Sequence, residues 1–162
     1  MTKTKIIILI VGVIIIGFLG ALLSAGNNAY SQKYEFYCEK ELMIKKLTEF
    51  KKENPNLQPA KETGLTDSYA KDQYYYHSYF YWQDEDRIIH ILTSQKDNEQ
   101  TKSIISFEAV NEGLTLGHWK RINKDFDRKE NIRIKSKFEK ELLNKLKLNY
   151  KNLGNDMFIF WK

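Results

Sequence analysis

Few side chains in this 162-residue chain could carry chemistry, and most of them fall in one aromatic stretch. His77, His90 and His118 are its three histidines, and Cys38 is its one cysteine. A lone cysteine forms no internal disulfide, and as a nucleophile it needs a neighbouring base that no local pattern supplies. Asp84, Glu85 and Asp86 put three carboxylates on one turn, where adjacent acids are usually solvated rather than catalytic. CxxC pairs, HExxH, GxSxG, GxGxxG and the phosphate-loop pattern are absent from the sequence. The residues call for no cofactor and no metal. The function expected from them is non-catalytic binding, with an envelope enzyme or small-ligand-binding protein using histidine and tyrosine side chains as the alternative.

The histidines matter only if the chain brings them together. Asp72–Trp82 is dense in aromatics, and Arg87–Thr93 is β-branched, with the acidic turn between them. These read as two strands of a hairpin. A two-residue turn at Asp84-Glu85 pairs Tyr79 with His90 and His77 with Leu92. His77 and His90 then share a face on a diagonal, at most about 7 to 8 Å apart at Cβ. A slip of one residue would put them on opposite faces. In the first register Tyr76, Phe80, Trp82, Ile89 and Ile91 make a core face. Tyr75, His77, Tyr79, Tyr81, Ile88, His90 and Leu92 make the other. Tyrosine combines an apolar body with a polar tip, which suits a wet binding surface. Tyr75, His77, Tyr79, Tyr81 and His90 are therefore the candidate binding face. The competing reading is that the loop 55–71, or a second copy of the chain, covers it.

The elements that must position this hairpin read as α+β. Phe36–Glu53 carries Phe36, Met43, Ile44, Leu47 and Phe50 on one helical stripe, ended by Asn54-Pro55. Pro55–Lys71 reads as a long loop. After the hairpin, 94–101 reads as a polar connection, 103–110 as a half-buried strand and 114–122 as a fourth strand. Ile132 and Ile134 suggest a short extra strand. Ser136-Lys137-Phe138-Glu139 has the form of a capping box opening a helix with Phe138, Leu142, Leu146 and Tyr150 on its stripe. Met157–Trp161 reads as a last strand. The expected order is α-β-β-β-β-α-β, a mostly antiparallel sheet with helices on one face.

Ahead of this domain stands an apolar run, Ile6–Leu23, behind the basic leader Lys3 and Lys5. As a helix, its eighteen residues cover about 27 Å, close to the roughly 30 Å core of a bilayer. Ile6, Leu9, Val13, Phe18 and Leu22 mark out the expected anchor. The organisation is thus 1–26 as a transmembrane signal-anchor, 27–33 as a linker and 34–162 as a single extracytoplasmic domain. Positive charge before the helix places the N-terminus inside and the domain outside, periplasmic or extracellular. Ser24-Ala25-Gly26 also has the form of a cleavage site, so secretion after cleavage near Gly26 is the alternative. Gly17 with Ala21 and Gly20 with Ser24 have the spacing of close helix contacts, which would allow a weak homodimer.

The expected partners are the lipid bilayer and a protein or envelope component. The formal charge is +5, split unevenly: residues 30–112 carry 11 basic and 15 acidic side chains, and 113–162 carry 13 and 6. Asymmetry of this kind can mark an anionic partner, but the favoured reading is that lysines solvate a helix face in a chain rich in lysine, asparagine, isoleucine and tyrosine. Nucleic acid is not expected, because the aromatic-glycine signature of a sheet RNA binder is missing and the domain is placed outside the cytoplasm.

Overall fold

Tyr34 and Phe36 alternate with Lys33 and Glu35, and this two-residue period makes a strand where a linker and a helix start were expected. In the computed structural model, which describes residues 30–71, 73–97 and 99–155, the chain opens with β1 (Gln32–Phe36). Tyr34 and Phe36 are fully buried. The folded unit therefore takes in residues 32 and 33, and the first helix, α1 (Lys40–Glu53), begins four residues later than its stripe suggested. Met43, Leu47 and Phe50 are its buried apolar positions.

The segment after Pro55 is built rather than loose. Two single-turn 3-10 helices (Pro55–Leu57 and Lys61–Thr63) lead into the two-residue β2 (Ser68–Tyr69). β3 (Tyr76–Trp82) and β4 (Arg87–Lys96) form the expected hairpin, with Tyr79 opposite His90 and His77 opposite Leu92. The 94–101 connection is a correction. β4 runs on to Lys96 and β5 (Glu99–Glu112) starts at Glu99, because their polar side chains satisfy one another. The Gln95 amide donates to the Glu99 carbonyl, and Glu99 pairs with Lys96 (2.8 Å) and Lys102 (2.6 Å). The fourth expected strand shrinks to β6 (Trp119–Arg121).

The last helix departs furthest from expectation. α2 (Arg128–Glu141) starts eight residues before Ser136. Asp127 is its cap, accepting from the Glu130 N–H at 2.9 Å. Ser136 lies exposed in mid-helix, and Ile132 and Ile134 are helical rather than a strand. Ile134 and Phe138, four apart, point into the core, while Ile132 is 53% exposed. Leu142 ends the helix, and Tyr150 belongs to β7 (Tyr150–Gly154). The expected strand at Met157–Trp161 lies outside the described residues. Asp127→Ala should accordingly cost about 1 kcal/mol in denaturant melts. Ser136→Ala should be neutral or slightly stabilising, since alanine is the better residue in a helix interior. A larger loss from Ser136→Ala would mean the helix starts where the capping pattern lies.

The order is β-α-β-β-β-β-β-α-β, an α+β fold with an antiparallel sheet. Across the sheet the strands run β2-β3-β4-β5-β1-β7, and β6 pairs with the far half of β5. Met43, Leu47, Phe50, Ile134 and Phe138 pack on Tyr34, Phe36, Phe80, Ile89, Ile91, Ile105 and Phe107, so both helices cover the same face. Tyr76, expected in this core, is half-buried and packs its ring on Tyr69 instead.

Candidate functional site

The face without helices is set by the register of the hairpin and by one irregularity in β5. His90 pairs with Ala109 and Ile91 with Phe107, which leaves Glu108 as an extra residue. This bulge shifts the alternation of β5, so that Phe107 and Val110 both reach the core while Ala109 turns to the open face beneath His90. Ile88, Leu92 and Ala109, at most 7% exposed, form an apolar floor. Asn111, fully buried, then folds the next turn over one end of this floor. Its amide donates to the carbonyls of Gly113 (2.8 Å) and Thr115 (2.9 Å), and its oxygen accepts from the His118 N–H (2.8 Å). That return delivers Trp119 opposite Asn111 on β6.

On the floor stands a row of four half-buried rings: His77, His90, Tyr79 and Trp119. His77 Nδ1 lies 3.0 Å from His90 Nε2. The two rings are nearly parallel (13°) with centroids 5.1 Å apart, the spacing of imidazoles bonded edge to edge. Such a bond needs one nitrogen to donate and the other to accept. Protonating both rings fully leaves two donors facing each other, so the bond is lost. Tyr79 stacks on His90 at 4.8 Å, and Trp119 meets His90 edge-on at 5.9 Å. Burial, and after it the charge of His77, hold His90 far below the ordinary imidazole range, at about 3.

Of the five residues expected on the binding face, the structure gathers three: His77, Tyr79 and His90. Tyr75 precedes the strand, with its ring against Tyr74 at 4.6 Å. Tyr81 sits at the hairpin end, where its hydroxyl donates to Asp86 (2.8 Å). Trp119 was missed. Its only local signal was the aromatic side chain itself, and its place depends on the buried Asn111 turn. Among the described residues no group of three or more His, Cys, Asp or Glu side chains could hold a metal ion.

A second concave feature was not legible in the sequence. A cleft of about 520 Å³ lies between α1 and the segment from Gln58 to Asp67, with Thr48, Lys52 and Tyr76 on its walls. Lys51 is its centre. Both Asp67 oxygens accept from its ammonium at 2.6 Å, and the Phe80 ring lies beneath it at 4.4 Å. Asp67 also accepts from the Tyr79 backbone N–H (3.1 Å), and so ties the cleft to the aromatic strand. Burial lowers the Lys51 pKa, while Asp67 opposes that shift. Compared with protein-family models, curated proteins and solved structures, the chain matches none.

Proposed function

We propose that the chain is a single-pass membrane-anchored protein whose extracytoplasmic domain binds a protein or envelope component without catalysing a reaction. The carrying observation is the row His77, His90, Tyr79 and Trp119, half-open on an apolar floor and bare of helices. Rings of this kind, presenting apolar area with polar tips, are the common anchors of protein interfaces. The membrane part rests on Ile6–Leu23 and the lysines before it. Among the described residues no helix is long and apolar enough to cross a membrane, and the apolar run lies outside them. The lysine-rich cleft over Lys51 favours a second reading, small-ligand binding, at a site the histidines do not line.

Two arms test the proposal in cells carrying the full chain. Protease added to spheroplasts should remove the domain while sparing cytoplasmic controls. A photo-reactive residue in place of Trp119 should cross-link a partner, whereas the same residue in place of Leu42, exposed on α1, should not. Protection from protease would overturn the orientation. Equal cross-linking at both positions would remove the sheet face as the binding surface.

A further inference from the structure

We infer that the notch where the chain enters the sheet is a docking surface for anionic phospholipid headgroups, an inference that rests on the membrane anchor proposed above. The notch opens between β1 and β6, which take adjacent halves of the same edge of β5. Tyr30 lies in it, and its position is fixed from several sides. The Asn123 amide donates to the Tyr30 carbonyl at 2.9 Å. Asn123, itself in the left-handed region (φ 60°), accepts from Asn131 and Lys135, both at 2.8 Å. The entry point of the chain is thereby tied to α2.

Two cations stand over the Tyr30 ring, the Lys124 ammonium at 4.8 Å and the Arg121 guanidinium at 5.4 Å. The surrounding segment, residues 119–129, carries five basic side chains against two acidic ones, Asp125 and Asp127. Both acids are themselves exposed but are engaged by local partners, so they offset the cations only in part. Asp125 accepts from the Arg121 N–H (2.8 Å) and sits 3.5 Å from its guanidinium, while Asp127 caps α2. The cations remain outside: the Arg121 side chain is 45% exposed, and Lys124, Arg128 and Lys129 are exposed. A cation above an aromatic ring keeps its outward N–H donors available for a phosphate.

Geometry brings this patch to a bilayer. Six residues separate Leu23, the end of the apolar run, from Tyr30. Fully extended, the seven steps from Leu23 to Tyr30 reach about 24 Å, so a run lodged in lipid keeps the notch within about that distance of its own outer end. A tether of that length lets the basic side chains come within a Debye length, about 10 Å at 0.1 M salt, of an anionic surface, where they are attracted to it. A tyrosine flanked by cations also suits the headgroup layer, where amphipathic rings collect.

The test uses the full chain in vesicles of phosphatidylcholine alone, or of phosphatidylcholine mixed with phosphatidylglycerol. Amines are acylated with a membrane-impermeant reagent and located by mass spectrometry. Lys124 and Lys129 should react about fivefold more slowly, or less, in the vesicles with phosphatidylglycerol, and raised salt should abolish the difference. Lys45, on the outward side of α1, should react equally in both. Equal reactivity of Lys124 in the two preparations, with protein floating alongside the vesicles, overturns the docking and leaves the anchor standing. Protein that stays behind when the vesicles float, or that alkaline carbonate strips from them, overturns the anchor and the docking with it.

Discussion

Lowering the pH from about 7.5 to about 4.5 should cost the domain about 2 to 3 kcal/mol of stability through His90 alone. The sign follows from the direction of the shift. The folded pKa, about 3, lies below the ordinary histidine value of 6.5, so the unfolded chain takes up a proton that the folded chain refuses. Stability is fully present above pH 6.5 and drains away as the pH falls towards 3, by about 1.4 kcal/mol per unit. The cause is spatial. His90 lies over Ala109, between Tyr79 and Trp119, with His77 at 3.0 Å, and a full charge there would lose water and face a second imidazole. Glu85 and Glu130, held at about 2 by Arg133 and its neighbours, act in a lower window, between about pH 4.5 and 2. His90→Phe keeps a flat ring in the row and removes the titration. Denaturant melts of this variant should be nearly level between pH 7.5 and 4.5, where the parent loses stability. A parent whose midpoint does not move across that range, or a variant that loses as much, would mean that His90 is not held neutral by its surroundings.

The hairpin was legible because two signals agreed at one place. Three consecutive acids demanded a turn, and Phe80, Trp82, Ile89 and Ile91 fell on one side only when Tyr79 stood opposite His90. α1 was legible through Met43, Leu47 and Phe50. α2 was not, since only Ile134 and Phe138 are buried along its fourteen residues, too few to set a period. Its start is decided by partners distant in sequence. Glu130, which in a capping box would reach back, bonds Arg87 and Arg133 instead, and Asn131 bonds Asn123. Ser136 and Glu139 match the capping pattern but lie inside the helix, with no helix start there to cap. The bulge at Glu108 was equally hidden: nothing in Ser106–Val110 marks which residue is extra until β4 is laid beside it. The open face was therefore foreseen from β3 and β4 but lacked Trp119, whose place depends on that bulge and on the Asn111 turn.

Adjacent residues on β3 should respond in opposite ways to truncation, and the contrast separates core from binding surface. Phe80 is 1% exposed and packs among Ile89, Ile91 and the helices, with the Lys51 ammonium 4.4 Å above its ring. Phe80→Ala removes a buried ring, opens a cavity and takes the aromatic face from a buried cation. It should cost about 3 to 5 kcal/mol in denaturant melts. Tyr79 points the other way and is only half-buried. Its backbone N–H keeps Asp67 whatever the side chain, so truncation loses the stacking on His90 and the contact with Trp119 and little else. Tyr79→Ala should cost about 1 to 2 kcal/mol, since only part of its area leaves water on folding. Binding should show the reverse order, because a few interface aromatics commonly carry most of the affinity. The yield of the cross-link made through a photo-reactive residue at position 119 should fall about tenfold in Tyr79→Ala under conditions where melts show the variant still fully folded. If Tyr79→Ala damages folding as much as Phe80→Ala, the row is covered within the folded chain, and the sheet face loses its standing as a binding surface.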